Sequence, residues 1–311
     1  MNRKSIKVFA PASVSNVGPG FDIMGFALDE PGDEVVVSTN DSGKIVITDI
    51  TGDNGKLSRE TENNTATVAI KALCDEMKIK QGIDVAIHKK MGIGSGLGSS
   101  AASAVAGVFA VNILLDLNLS AEKLLPFALA GEALASGAIH ADNVAPSLFG
   151  GFLLIRDYDP VDIIRIPVPE KLHCTIIYPD IEIKTSEARQ ILPTTFTMKD
   201  VIAQSGNAAA LIAGLSSGNS DLIGRSLVDR VAEPYRAGLL PFYDKLKKKA
   251  ASAGAINCNI SGSGPSLFCF SNSRKKAEKL ASVLGEFVDE QGYGVQTYVS
   301  KINNLGPKVI E

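Results

Sequence analysis

The stretch "KKMGIGSGLGSSAASAVAGVFAVNILL", residues 89–115, sets Gly92, Gly94, Gly96 and Gly98 directly before a long apolar run. Glycine loses more conformational freedom on folding than any other residue, so this density of glycines costs stability. The run that follows predicts a buried helix from about Ser99 to Leu115. A helix start leaves about four backbone N–H groups unpaired and carries roughly half a positive charge. Glycines ahead of it let the backbone close around an anion, with each N–H a donor. Ser95, Ser99, Ser100 and Ser103 add hydroxyls, and a serine at the junction can ligate a magnesium ion. The pattern suits a polyphosphate; the alternative is a turn that only packs a strand against a helix. It is not a P-loop, because no lysine follows the last glycine. The dinucleotide fingerprint fails too, since Ser99 stands where its third glycine belongs.

The rest of the chain frames this loop. Its 311 residues make two domains the prior expectation. With 45% hydrophobic and 21% charged residues it reads as an ordinary globular protein. A net charge of −3 and short basic clusters argue against a nucleic-acid or membrane surface. The run "KLKKK", 245–249, reads as a solvated helix face. Cys74, Cys174, Cys258 and Cys269 show no CxxC spacing and sit among apolar neighbours, as reduced thiols of a cytosolic protein do. The start of the chain lacks an apolar signal core. The most hydrophobic segment, 101–115, is shorter than the ~20 residues of a membrane span. A soluble, cytoplasmic protein is expected.

Residues 5–14 begin as a strand that Pro11 is expected to stop. Strands at 33–39 and 44–50 flank "NDSG", a turn signal. Residues 64–77 read as a helix capped by Asn64 or Thr65, with Val68, Leu73 and Met77 near one face. A strand follows at 82–91, then the glycine loop and its helix, a second helix at 120–137 and a strand at 150–157. Three prolines between 158 and 169 mark a domain boundary, giving 1–165 and 166–311. Helices and strands then mix without strict βαβ alternation. The expected class is α+β in two domains.

Two further loops share the character of the first. "NISGSGPSLFCF", 259–270, sets glycines and serines between apolar runs. "PASVSNVGPGFDIMGFAL", 11–28, places Ser13, Asn16 and Asp22 among glycines and prolines. Packing alone explains three such loops poorly. Taken in chain order, 11–28, then "GIGSGLGSSAAS" at 92–103, then 259–270, the three loops resemble the three motifs of the galactose, homoserine, mevalonate and phosphomevalonate kinases, the GHMP kinases. "HADNVAPSLFGG" (140–151), "KTSEARQILP" (184–193) and "EPYRAGLLP" (233–241) are similar to stretches of the branch that acts on homoserine. The resemblance runs from about residue 5 to the end of the chain.

The resemblance implies a ribosomal protein S5 domain 2-like N-terminal domain and a ferredoxin-like C-terminal domain, with the active site between them. The implied activity is ATP-dependent phosphorylation of the L-homoserine side-chain hydroxyl, a step of threonine biosynthesis. A homodimer is implied as well. Gly94, Gly96, Leu97, Gly98, Ser99 and Ser100 are expected to cradle the ATP phosphates, and Asn63 to lie near the adenine. Mg2+ is expected between Ser100 and Glu132, a hard cation on oxygen ligands. Arg189 and Arg236 are expected on the substrate carboxylate, because guanidinium forks fix it with paired charge-assisted bonds. Arg230 is a second choice. Asp22 and Asn16 are expected on the ammonium, and His140 and Asn143 on the substrate.

Mevalonate and galactose kinases use an aspartate in the segment that here reads His140-Ala141-Asp142-Asn143. An amide at Asn143 orients but cannot take a proton. Asp142 either faces the site or supports the neighbouring loop. The favoured expectation is transfer without a dedicated base, with Thr185 assisting by a hydrogen bond. The alternatives are another kinase of the group, acting on mevalonate, a sugar or threonine, and a nucleotide-binding sensor without turnover.

Overall fold

The structure is a computed structural model that describes residues 5–136 and 140–311. Strands β1 (Ser5–Ser15), β2 (Met24–Asn40) and β3 (Ile45–Thr51) lead to helix α1 (Thr65–Glu76) and strand β4 (Gly82–His88). Helices α2 (Ser99–Leu114), α3 (Ala121–Ser136) and α4 (Ala141–Phe149) follow, then β5 (Phe152–Tyr158) and β6 (Val161–Ile166). The second half runs β7 (His173–Pro179), α5 (Thr185–Gln190), α6 (Met198–Ser217), α7 (Ser220–Ser226), α8 (Glu233–Arg236) and α9 (Tyr243–Ser252). It ends with β8 (Asn259–Ile260), β9 (Leu267–Ser271), α10 (Arg274–Glu290), β10 (Val295–Ser300) and β11 (Lys308–Val309).

Among the described residues, β1 to β6 and β11 form one sheet and β7 to β10 another. The second sheet has the order β10-β7-β9-β8, all neighbours antiparallel. That is fourth-first-third-second within a β-α-β-β-α-β run, the ferredoxin-like arrangement. Sheet membership changes between β6 and β7, but the tail returns: Ile302 bridges Leu28, and β11 pairs with β1. Ile302 and β11 are thus paired to strands of the first sheet. Phe26 of the first sheet stacks on Phe152 of the same sheet and packs on Phe268 and Phe270 of the second, with centroids 5.3 to 6.0 Å apart. This aromatic core joins the sheets and holds their loops across one cleft.

Three local expectations are corrected. Strand β1 continues past Pro11 to Ser15, because the register shifts between Pro11 and Ser13 and the missing N–H falls at that irregularity. The strands flanking "NDSG" are not neighbours, since β4 lies between β2 and β3 and pairs with β3 in parallel. Helix α1 buries Ala66, Ala69, Ile70, Leu73 and Cys74 and leaves Met77 40% exposed, so the stripe is rotated from the expected Val68–Leu73–Met77 face. Its cap is Asn64, whose side chain accepts from the Ala66 N–H at 3.1 Å. Helix α2 is apolar on every side and packs between α1, α3 and the β1–β2 face. No helix among the described residues is long and apolar enough to cross a membrane.

Candidate active site

The loop 92–98 takes its shape from positive φ angles at Gly94 (69°), Gly96 (75°) and Gly98 (65°), where L side chains are strained. Gly98 is the N-cap of α2 and has no side chain to occupy the first-turn N–H groups. Neighbours clamp the loop. The Ser261 hydroxyl donates to the Gly96 carbonyl at 2.6 Å, the Ser266 N–H to Ser95 at 3.2 Å, and the Ser13 N–H to Leu97 at 3.0 Å. All three loops singled out in the sequence thus meet here.

The cleft in front of α2 is lined by most of the expected residues: Asn16, Asp22, Gly94, Gly96, Gly98, Ser99, Ser100, Glu132, His140, Asp142, Asn143, Thr185, Arg189 and Arg236. Leu97 is buried, 1% exposed, and lies outside the lining. Asn63 lies outside the lining, on an exposed turn at Thr61–Asn63, with its amide on Glu60. Arg230 also lies outside, exposed.

Several side chains do something other than expected. The Ser99 hydroxyl points into the protein, donating to Asp33 at 2.8 Å, so only its backbone is left for an anion. Asn16 builds its own loop: its amide donates to the Gly262 carbonyl at 2.9 Å and accepts from the Asp22 N–H at 3.1 Å. Arg189 grips both oxygens of Asp22, at 2.7 and 3.0 Å. The two groups expected on opposite charges of a substrate hold each other here. Arg236 is 4% exposed and donates to the carbonyls of Ala188 (3.0 Å) and Gly262 (2.8 Å). Asn143 accepts from Ser13 at 2.8 Å and donates to Ser15 at 3.0 Å, which fixes its amide against Gly98. Thr185 Oγ1 lies 3.3 Å from Ser263 Oγ.

Charge is distributed unevenly along the cleft. Burial pushes Asp142 up to about 7, and repulsion from Asp22 and Glu132 adds to it against a Ser15 hydrogen bond. Glu132 is likewise pushed up to about 7 by burial, with a Ser100 hydrogen bond and the Lys89 charge opposing. Burial pushes the His140 imidazole down, against the Asp22 carboxylate 3.7 Å away. Ser95 Oγ, Asp142 Oδ1 and His140 Nε2 are buried without a hydrogen-bond partner among the described residues. All three residues line the cleft, and buried polar atoms left open call for a ligand or water.

The sequence reading missed the support beneath the loop. Lys89 and Asp33 form an ion pair with side chains 3% and 0% exposed. Asp33 also accepts from the Lys90 and Met91 N–H groups at 2.8 and 3.2 Å. Lys89 donates to the Ser99 carbonyl at 2.9 Å and the Ser103 hydroxyl at 2.7 Å. This ties β2, the end of β4 and the first turn of α2 together. Phe21, Ser15 and Tyr158 were missed as well; Tyr158 donates to the Asp22 carbonyl at 2.6 Å.

Glu132 and Ser100 fit the expected cation. One carboxylate and one hydroxyl, both hard oxygens, suit an ion whose other ligands are phosphates and water. A carboxylate buried as deeply as Glu132, 6% exposed, is stabilised by a cation beside it.

Comparison with known proteins gives the family. The GHMP kinases N terminal domain family matches residues 64–151, and the GHMP kinases C terminal family matches residues 208–290. The homoserine kinase of Chlorobium phaeobacteroides is 43% identical, over 99% of this chain and all of its own length. That of Pyrococcus abyssi is 37% identical, over 95% of this chain and 96% of its own. The crystal structure of homoserine kinase from Cytophaga hutchinsonii superimposes with a TM-score of 0.97 at 49% identity, covering 100% of this chain and 98% of the other. The chain belongs to the GHMP kinase family and is a kinase of its two-domain fold.

Proposed function

We propose that this GHMP kinase transfers the γ-phosphoryl group of ATP to the side-chain hydroxyl of L-homoserine, giving O-phospho-L-homoserine and ADP. The observation that carries the reading is the pairing of two unlike half-sites in one cleft. Bare N–H groups at the start of α2 face an amino-acid end built from Asp22, Arg189 and Arg236. Relatives named homoserine kinase that match over nearly the whole chain support the same substrate.

The backbone of residues 94–100 receives the triphosphate, aligned by the positive end of α2. Phosphoryl transfer needs mainly alignment and charge stabilisation. Ser100 and Glu132 hold Mg2+, which supplies positive charge to the phosphate oxygens when bound. The substrate carboxylate pairs with Arg189 and Arg236, and its ammonium with Asp22. Asn143, fixed between Ser13 and Ser15, orients the hydroxyl. Thr185, at the start of α5, assists by hydrogen bonding. In this reading the hydroxyl loses its proton to a phosphate oxygen, without a dedicated base.

The position of Asp142 favours a second reading. It lines the cleft and titrates near 7, the range useful to a general base. The readings separate on Asp142→Asn. A fall in kcat of about 1000-fold with acceptor binding intact establishes the base; a small change leaves base-free transfer. The function is tested by ADP release from pure protein with ATP and Mg2+ against L-homoserine, L-threonine, mevalonate and galactose. Turnover with mevalonate or galactose but not with L-homoserine would overturn it. ADP release with none of them would leave a nucleotide sensor. The homodimer belongs to this reading too, and sedimentation at micromolar concentration tests it.

A further inference from the structure

Phe21 sits at the turn between β1 and β2, one residue before Asp22. Two guanidiniums lie over its ring, those of Arg189 and Arg236, each 5.4 Å from the ring centroid. Like charges brought this close repel, and the negative face of an aromatic ring offsets that repulsion. The arginines differ in their other restraints. Arg236 is buried and fixed by two carbonyls. Arg189, its side chain 40% exposed, is held otherwise by the carboxylate of Asp22. The backbone around the ring is costly to form: Asn16, Val17 and Asp22 have φ of 66°, 41° and 60°, a region that residues other than glycine rarely adopt.

A zwitterion entering this end changes the pairing. Its carboxylate draws Arg189 from Asp22, and its ammonium takes the Asp22 carboxylate in exchange. During that exchange Arg189 loses its anionic partner within the protein and keeps the ring. We propose that Phe21 is a positioning residue, whose ring holds Arg189 and Arg236 as a paired anchor for the acceptor carboxylate while Asp22 turns to the ammonium. A carboxylate without an ammonium, such as mevalonate, opens the ion pair but leaves Asp22 uncompensated. The device thus favours amino-acid alcohols. It rests on the reading of the cleft given under Proposed function.

The test compares Phe21→Leu and Phe21→Tyr with the wild type for kcat, KM for L-homoserine, KM for ATP and melting temperature. Phe21→Leu is expected to raise the L-homoserine KM about tenfold, ~1.4 kcal/mol and within reach of two cation–π contacts. Its kcat and ATP KM stay within about twofold of wild type, and Phe21→Tyr, which keeps the ring face, restores the acceptor KM. An unchanged acceptor KM in Phe21→Leu overturns the proposal. So does Phe21→Tyr behaving like Phe21→Leu, or all parameters moving together with a falling melting temperature. Wild-type protein that does not phosphorylate L-homoserine overturns the functional reading itself, an outcome distinct from a wild-type enzyme whose Phe21 variants match it.

Discussion

Gly98→Ala probes the junction of loop and helix with one methyl group. A Cβ at Gly98 would lie 2.1 Å from Ser13 Oγ and 2.8 Å from Asn143 Oδ1. Those atoms are the two ends of a 2.8 Å hydrogen bond, so the methyl breaks that bond or moves the helix start. The left-handed backbone, at φ 65°, adds strain of about 1–2 kcal/mol for an L residue. Loss of the hydrogen bond adds about 1 kcal/mol. A total of roughly 2–3 kcal/mol corresponds to a fall in melting temperature on the order of 3–5 °C in a chain of this size. Relief by shifting the loop about 1 Å misaligns the amides, a displacement that can cost about 100-fold in rate. Calorimetric titration with a non-hydrolysable ATP analogue, together with kcat/KM for ATP, reads the effect. Gly94→Ala is the control: its φ is 69°, but its nearest neighbour, the Ile183 carbonyl oxygen, is 3.4 Å away, so strain alone acts. Gly98→Ala should lose most nucleotide affinity and Gly94→Ala much less. Equal, near-wild-type affinity in both would refute the reasoning.

Other outcomes follow from the same geometry. The folded-state pKa of Asp142, about 7, lies above its ordinary 3.8, so the stability from its neutral carboxyl is complete below about pH 4 and lost as pH rises through 7. Asp142→Asn removes that loss: melting curves should match wild type near pH 4 and exceed it above pH 7, by up to ~4 kcal/mol for about three units. Lys89→Met leaves Asp33 as an uncompensated buried charge and should cost about 3–5 kcal/mol in denaturant unfolding, with Asp33→Asn/Lys89→Met recovering part of it. Glu132→Gln should raise the Mg2+ concentration needed for half-maximal rate about tenfold or more while leaving the fold intact by circular dichroism.

The sequence exposed what is local and hid what is distant. Alternating glycines before an apolar run announced both α2 and its free N–H groups, because each depends on neighbours in the chain. The second and third loops were visible for the same reason, and their meeting follows from the aromatic core of Phe26, Phe152, Phe268 and Phe270. Asp33 and Lys89 gave no such signal. They stand 56 positions apart, each inside what reads as an ordinary strand or its end, and the antiparallel pairing of β2 with β4, which sets Glu34 opposite His88, brings them together. Ser99 reads as a phosphate ligand from its place at the helix start; its hydroxyl turns inward to a carboxylate the sequence could not locate. Pro11 reads as a strand end by its missing N–H, yet a shift in register accommodates it. The insertion of β4 between β2 and β3 is set by the sheet as a whole, so a turn signal at 40–43 could not reveal it.

The most direct test of the account is a crystal structure with a non-hydrolysable ATP analogue, Mg2+ and L-homoserine. The account predicts triphosphate oxygens within hydrogen-bond reach of the N–H groups of residues 94–100, and the homoserine carboxylate on Arg189 and Arg236. A triphosphate bound away from the start of α2, with this loop facing solvent, would contradict it.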